Sequence, residues 1–379
     1  MNDFLITATC AFGLESVLKR ELFLLGYRET AAENGKVSFH GSSDDLARCN
    51  LRLRSADRVF ITLAEFDAVD YDQFYDATAR LKWEEMIPEH GMVAVTARSK
   101  GSAIAGVPRA QAVAKKAVLD AMRRRFPRDR FEESGPQYHI DIAIHKDRVT
   151  VNLDTSGAGL HKRGYRTEKG EAPLRETLAA ALVLLSRWKH ELPLADPLCG
   201  SGTIAIEAAL IGINRAPGLY RKFSAESWPF IPASAWQRAR EEARDSETPG
   251  PVNIYASDHD RRVFSVARDN AARAGVSGHI LFERKDVREF SSKDKNGFII
   301  TNPPYGERLG EKDEVEALYR DMGAVLSRLD SWSLFILTGH ERFERIFGRK
   351  ADRNRKLYNG PIKTYLYQYT APAVTGKSY

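Results

Sequence analysis

Apolar residues recur along this chain with two periods, and the balance between them changes once. Through residue 154, short alternating runs dominate: residues 4–8, 36–40, 92–97, 138–145 and 148–153 read as strands. Helical spacing interrupts them at 13–25 and again, with a basic outer face, at 108–125. Asp147, between the last two runs, marks a tight hairpin. The pattern predicts a small α+β unit over residues 1–66 and a second unit over 67–155.

The texture changes after Asp154. A polar stretch over 155–170, containing Gly157, Gly159, Gly164 and Gly170, reads as a linker or a functional loop. Beyond it, helical spacing at 176–188, 202–211, 262–274 and 315–329 alternates with strands at 193–196, 252–256, 279–284, 297–301 and 333–338. Such βαβ alternation predicts an α/β fold, a parallel sheet with helices on both faces. Residues 355–358 and 364–369, flanking Asn359-Gly360-Pro361, predict a final antiparallel pair. The third expected unit is therefore 156–379. Within it, the aromatic and charged stretch 216–251 follows neither period and stands as an insertion.

Composition narrows the class. A chain of 379 residues with 43% hydrophobic and 28% charged residues is globular and long enough for two or three cores. No segment approaches the roughly 18 apolar residues of a membrane span, and the first ten residues lack a basic region followed by an apolar run. A cytoplasmic protein with no membrane partner is expected. Cys10, Cys49 and Cys199 are far apart, with no Cys-x-x-Cys pair and no histidines at zinc spacing, so neither a disulfide framework nor a metal is expected. The net charge of +6 is unevenly spread: residues 98–175 hold 17 Lys and Arg against 9 Asp and Glu, a surplus larger than that of the whole chain. One stretch is thus suited to an anionic partner.

The strongest local pattern is Asp196-Pro197-Leu198-Cys199-Gly200-Ser201-Gly202-Thr203, a Gly-rich turn from strand to helix. Its place at the carboxyl edge of the sheet is where open α/β folds bind ligands, and glycines let the backbone approach one closely. It is neither the dinucleotide fingerprint nor a P-loop; a tight structural turn of small residues would read the same. The next strand ends in Asp258, positioned as an acceptor for a ribose diol, while Asp260 either shares that role or caps the following helix. A third strand ends in Asp286, an acceptor for an adenine amino group. A fourth delivers Asn302-Pro303-Pro304-Tyr305.

Adjacent prolines hold that last backbone extended, so the Asn302 carboxamide oxygen and the Pro303 carbonyl can point rigidly at one place. An exocyclic amine is a poor nucleophile because its lone pair is delocalised into the ring. Two acceptors on its N–H bonds pull that pair out of conjugation, and Tyr305 can stack on the base. A base inside a helix cannot reach such a pocket, so the target must be unpaired or flipped out. Cys199 is rejected as a nucleophile: it sits in the ligand turn rather than beside the acceptor, and attack by an amine needs no covalent adduct.

Residues 155–370 resemble the S-adenosylmethionine (SAM)-dependent amino-methyltransferases that carry an Asn-Pro-Pro-Tyr motif. The whole chain resembles the bacterial THUMP-domain ribosomal RNA guanine-N2 methyltransferases, a family also described as N6-adenine-specific DNA methylases. The likeness rests on the 196–203 turn, on Asn302-Pro303-Pro304-Tyr305-Gly306-Glu307-Arg308, on Gly159 through Arg166, on Ala172-Pro173-Leu174-Arg175-Glu176-Thr177-Leu178, and on Leu357-Tyr358-Asn359-Gly360. It implies a Rossmann-like SAM methyltransferase fold with a seven-stranded, mostly parallel sheet. A ferredoxin-like half (1–66) and a THUMP RNA-binding unit (67–155) would precede it.

The resemblance further implies that Asp196, Leu198, Cys199, Gly200, Ser201 and Gly202 hold the methionine part of SAM, with Thr203 beside them and Thr177 closing from the other side. Asp258 would bind the ribose and Asp286 the adenine, with His259 and Val287 adjoining. Asn302, Pro303, Pro304 and Tyr305 would hold the target amine, Asn302 also bordering the cofactor. Lys100, Arg109, Lys115, Lys116, Arg123, Arg124 and Arg125 offer a basic surface for phosphates, although a solvated helix face would look the same. His161, Lys162, Arg163 and Arg166 are expected to guide RNA. The expected activity is methylation of a guanine N2 in RNA, 23S rRNA or a large-subunit assembly intermediate being the expected partner. Adenine N6 in RNA or DNA is the alternative substrate, and a non-catalytic RNA-binding assembly factor the alternative of another class. The oligomeric state leaves no trace in the sequence.

Overall fold

The computed structural model describes residues 3–166, 174–248, 250–306 and 312–371; Gly170, Ala172, Pro173, Glu307 and Arg308 of the stretches singled out above lie outside them. The chain divides into two compact units. One comprises Met1–Cys10, Leu18–Leu160 and Gly218–Ala243, the other Ala11–Val17, His161–Pro217 and Arg244–Tyr379.

The first unit is built on one seven-stranded sheet of β1 (Phe4–Thr9), β2 (Ala31–Glu33), β3 (Lys36–Gly41), β4 (Arg58–Asp67), β5 (Met92–Lys100), β6 (Gln137–His145) and β7 (Arg148–Asp154). Their order is β2-β3-β1-β4-β7-β6-β5, with only β5 and β6 parallel. Residues 1–66 and 67–155 therefore share a sheet, joined where β4 pairs with β7. The helices are α1 (Glu15–Leu24), α2 (Ser43–Arg52), α3 (Tyr71–Ala79), α4 (Trp83–Met86) and α5 (Val107–Met122). Alternation does not reveal β4, because Val59, Phe60, Ile61 and Thr62 are buried in succession, on both faces. Helix α2 is polar on average, its buried face is Leu46, Ala47, Cys49, Asn50 and Leu51, and its start is fixed by a capping box between Ser42 and Asp45.

The stretch read as an insertion belongs largely to this same unit. Trp228 stacks on Tyr138 with ring centroids 5.0 Å apart, and its indole N–H donates to the Gln137 carbonyl at 2.9 Å. Phe230 meets Phe4 edge-on at 6.3 Å. Helix α8 (Ala233–Asp245) follows, its Trp236 stacked on Phe223.

The second unit carries the expected parallel-rich sheet: β8 (Leu194–Asp196), β9 (Ile254–Asp258), β10 (Ile280–Arg284), β11 (Phe298–Thr301), β12 (Ser333–Thr338), β13 (Arg353–Asn359) and β14 (Ile362–Tyr369). The order is β10-β9-β8-β11-β12-β14-β13; the first five are parallel, and β14 runs antiparallel to both neighbours. Its helices are α6 (Glu176–Ser186), α7 (Thr203–Gly212), α9 (Arg261–Arg273), α10 (Lys312–Leu326) and α11 (Phe343–Phe347). Helix α6 ends two residues earlier than its spacing predicts because Arg187 turns left-handed, φ 57°. Tyr319, Met322, Phe343 and Phe347 from α10 and α11 pack on Ile299, Leu334, Ile336, Tyr367 and Tyr369. Among the described residues no helix is long and apolar enough to cross a membrane.

Candidate active site

Four strands of the second unit, β10, β9, β8 and β11, end side by side, and each delivers a residue singled out in the sequence. Asp196 ends β8, buried to 1% exposure. Its Oδ1 accepts from the Thr301 hydroxyl at 2.7 Å and from the Leu198 amide at 3.4 Å. Burial pushes its carboxyl up to about 7; Thr301 and Leu198 pull it down and the charge of Asp258 pushes it further up. Thr301 is the last residue of β11, so this contact ties the strand that precedes Asn302 to the start of the Gly-rich turn.

The turn itself needs its glycines for two different reasons. Gly202 has φ +80°, and a Cβ there would lie 3.1 Å from that of Ala267, so the close approach of α7 to α9 requires its absence. Gly200 has φ +53°, and nothing stands within 4 Å of where its Cβ would be. The first glycine to be added to is packed; the other faces open space. Gly200 N–H donates to Asp258 Oδ2 at 3.0 Å, Cys199 N–H to the Ser257 carbonyl at 2.9 Å, and the Asn270 side chain to the Ser201 carbonyl at 3.0 Å. The turn is thereby pinned to the end of β9. Cys199 is buried, and that burial, with Asp196 and Asp258 nearby, pushes its thiol well up. The thiol is therefore neutral rather than a thiolate nucleophile.

Asp258 accepts from Gly200 through one oxygen and from the Asp260 amide through the other, at 3.0 Å each. Asp260 resolves to the helix cap, accepting from the amides of Arg262 and Val263. The exposed His259 ring lies 3.5 Å from Asp258 Oδ1. At the end of β10, Asp286 accepts from the Arg288 amide at 2.8 Å and its guanidinium at 3.0 Å, while Val287 is buried. Thr177 is buried in the first turn of α6.

Asn302 and Tyr305 meet in a way the sequence does not announce: the Tyr305 hydroxyl donates to Asn302 Oδ1. That fixes the oxygen end of the carboxamide and uses one of its two lone pairs. The Pro304 carbonyl accepts from the Tyr319 hydroxyl at 2.6 Å, and Tyr319 in turn lies 2.8 Å from Thr338 Oγ1. Pro303 is buried and Pro304 exposed. Sequence reasoning missed Thr301, Tyr319 and Thr338. Thr301 could have been suspected from its place beside Asn302, whereas Tyr319 sits mid-helix without a motif.

The basic residues divide. Arg163 and Arg166, expected at an RNA surface, turn inward: Arg163 is buried with Nε 3.4 Å from Glu207, which also accepts from the Tyr165 hydroxyl at 3.1 Å. Arg166 donates to the Leu174 carbonyl and the Thr203 hydroxyl and lies 3.6 Å from Glu176. A buried Glu207 requires a cation, and Arg163 supplies it. His161 is half-buried and Lys162 exposed. In the first unit Lys100 ends β5, and Arg109, Lys115 and Lys116 lie on α5. Arg109 rests over Tyr71 at 4.2 Å and Lys116 over Tyr75 at 5.3 Å. Lys115 pairs with Glu133, Arg123 with Asp120 and Arg124 with Glu84, and Arg125 donates to the Glu84 carbonyl. Arg123 also donates to the Arg128 and Asp129 carbonyls and Arg124 to those of Ala79 and Leu81, so these two hold the fold as well, whereas the exposed Lys115–Glu133 pair is worth about 0–1 kcal/mol.

Three family models match consecutive parts of the chain: a RlmL ferredoxin-like domain at residues 6–60, a THUMP domain at 68–154, and an RMKL-like methyltransferase domain at 163–368. A Bacillus subtilis protein named "Putative RNA methyltransferase YpsC" is 45% identical over 372 residues, covering 97% of this chain and 96% of that protein. The Ribosomal RNA large subunit methyltransferase K/L of Syntrophotalea carbinolica is 38% identical over 376 residues, 96% of this chain. The chain spans only about half of that relative, 53% of its length. Among solved structures, SMU.472, titled a putative methyltransferase complexed with SAH, superposes with a TM-score of 0.93 at 40% identity, covering 99% of this chain and 100% of that one.

Proposed function

The chain belongs to the RMKL-like family of SAM-dependent methyltransferases, and from that premise we propose that it methylates an exocyclic base amine in RNA, guanine N2 of 23S rRNA being the substrate. One observation carries the reading. The Thr301–Asp196 hydrogen bond, 2.7 Å, couples the strand presenting Asn302 to the turn that opens at Gly200. An amine acceptor and a ligand cradle thus sit on adjacent strand ends.

The cradle suits SAM. The open space at Gly200 admits a ligand against the backbone, and Asp258 and Asp286 end the next two strands, where a ribose diol and an adenine amine need acceptors. When bound, SAM supplies a methyl group on a sulfonium, activated for attack without a metal. Asn302 Oδ1 keeps a lone pair for an amine N–H beyond the one engaged by Tyr305, and the Pro303 carbonyl offers a second acceptor. With the cofactor held there, these two acceptors would orient the amine lone pair towards the methyl group, and the proton the amine gives up on transfer would pass to solvent. Positioning supplies the rate.

RNA as substrate is supported by the THUMP match, the basic surface of α5 and the names of the relatives. We assign residues 1–66 to the ferredoxin-like half, 67–155 to the RNA-binding unit and 156–379 to the catalytic unit, apart from Gly218–Ala243, which pack with the first unit. Incubation with labelled SAM and separate 23S rRNA, tRNA and duplex DNA, followed by digestion to nucleosides, tests the proposal. N2-methylguanosine in 23S rRNA is the expected product. N6-methyladenosine alone would transfer the assignment to adenine, and Asn302→Ala methylating at the wild-type rate would overturn the role of Asn302.

A further inference from the structure

The hairpin of β13 and β14, which the catalytic assignment leaves unused, carries an ordered array on one face. Directly opposed residues of an antiparallel pair share a face, and so do residues two apart on one strand. Tyr358 opposes Lys363 and Lys356 opposes Tyr365, so these four side chains form a checkerboard at the tip of the hairpin. Lys356 Nζ lies 5.4 Å from the centre of the Tyr358 ring, and Lys363 Nζ lies 5.5 Å from that of Tyr365. Each lysine is exposed and rests on a tyrosine two residues along rather than on a carboxylate. Phe12, 52% exposed, adds its ring edge-on to Tyr358 at 6.3 Å.

This array is continuous with the amine pocket. Tyr365 opposes Thr338 on β12, and Thr338 bonds to the Tyr319 hydroxyl that holds Pro304. Gly339 lies between the two: a Cβ there would stand 3.2 Å from the Lys363 carbonyl and 3.5 Å from Tyr305 Cδ2. Further along the same face, Tyr367 and Tyr369 are covered by α10 and α11. The tip residues lie beyond that cover.

Exposed lysines set among half-buried aromatic rings, beside a pocket that takes an unpaired base, match the chemistry of one partner. Ammonium groups pair with phosphates, and rings accept unstacked bases without regard to sequence. We propose that the face formed by Phe12, Lys356, Tyr358, Lys363 and Tyr365 binds the single-stranded RNA flanking the target nucleotide, a role that rests on the RNA reading above. The ring faces take flanking bases and the lysines their phosphates, so the strand leaves the pocket across Gly339.

Binding of a 15-nucleotide single-stranded RNA, measured by anisotropy over a range of salt, tests this with the full chain. For Lys356→Gln/Lys363→Gln, two lost phosphate contacts lower the slope of log K against log salt by about 1.4 and the affinity on the order of tenfold near 0.1 M salt. Tyr365→Ala weakens binding by at least about fivefold with the slope unchanged, and Tyr365→Phe restores it, since a ring without the hydroxyl still stacks. SAM affinity by calorimetry stays at the wild-type value throughout. Unchanged RNA affinity and slope in the lysine variant, with wild type methylating rRNA, overturns the surface alone. An equal loss against duplex RNA of the same sequence overturns the single-strand assignment. No methyl transfer to any RNA by wild type overturns both readings.

Discussion

The Tyr319 hydroxyl donates to the Pro304 carbonyl at 2.6 Å, and because a carbonyl can only accept, this one bond sets the direction of a longer chain. Thr338 must give its proton to Tyr319 Oη, 2.8 Å away, and receives one from the His340 amide at 3.1 Å. A buried helix residue thereby orients the peptide that follows the Pro-Pro turn. Tyr319→Phe is expected to cost about 1–2 kcal/mol in urea unfolding, the cost of leaving the buried Thr338 hydroxyl without its acceptor. It is also expected to lower kcat on RNA by about tenfold with the SAM Kd unchanged. Thr338→Val should reproduce part of the loss and Thr338→Ser none. Equal kcat in all four proteins would remove Tyr319 from the site.

The two glycines of the turn should separate stability from binding. Gly202→Ala forces a left-handed alanine and a 3.1 Å contact with Ala267, so a loss of about 2 kcal/mol is expected in chemical unfolding. Gly200→Ala meets no neighbour and pays only for its φ. Its main effect should be a weaker SAM Kd by calorimetry, since the added methyl occupies the open side of the turn. If Gly200→Ala binds SAM as tightly as wild type, the ligand does not approach there.

Asp196 predicts a stability that depends on pH in an uncommon direction. Its carboxyl is pushed up to about 7 in the folded protein, whereas an aspartate in an unfolded chain ionises near ~3.9. Between those values the unfolded chain loses its proton first, so stability falls as pH rises through the window and stays lowered above it. Asp196→Asn keeps the acceptor for Thr301 and has no charge to bury. Its Tm should exceed the wild-type value at about pH 8, and the gap should close towards about pH 5. A gap constant with pH would contradict the assignment to Asp196.

Arg163 sits within an inward-facing cluster, so its loss should be felt in folding. Arg163→Ala leaves Glu207 buried without its cation, expected to cost about 3–5 kcal/mol. Arg163→Ala/Glu207→Leu should recover most of it. RNA affinity of the folded double variant should match wild type; a large drop there would restore Arg163 to the RNA surface.

Legibility followed periodicity. The alternating helices and strands from Glu176 to Thr338 were readable because α6 and α7 are apolar along most of their length, α9 and α10 set a buried face against an exposed one, and the strands between them are short apolar runs. Strand β4 and helix α2 were not: β4 buries consecutive residues and so shows no alternation, and the buried face of α2, Leu46, Ala47, Cys49, Asn50 and Leu51, is short and includes a polar residue. At the site, the places of Asp196, Asp258, Asp286 and Asn302 at or just after strand ends were legible because each follows a short apolar run. Thr301, Tyr319 and Thr338 act through contacts made only after distant segments pack, and no local spacing encodes them. Arg163 and Arg166 misled for the converse reason. A charged residue in a polar segment near the predicted site reads as surface until its buried partner, Glu207 or Glu176, is known.

The position of Trp228 bears on how the protein is made. The sheet that begins at Phe4 receives its last aromatic cover, Trp228 on Tyr138 and Phe230 on Phe4, from residues translated some seventy positions after β7 is finished. At ordinary elongation rates that interval is on the order of ten seconds. Throughout it the nascent amino-terminal half holds an uncovered Tyr138, and a stop codon placed at the end of the THUMP segment would release it in that state.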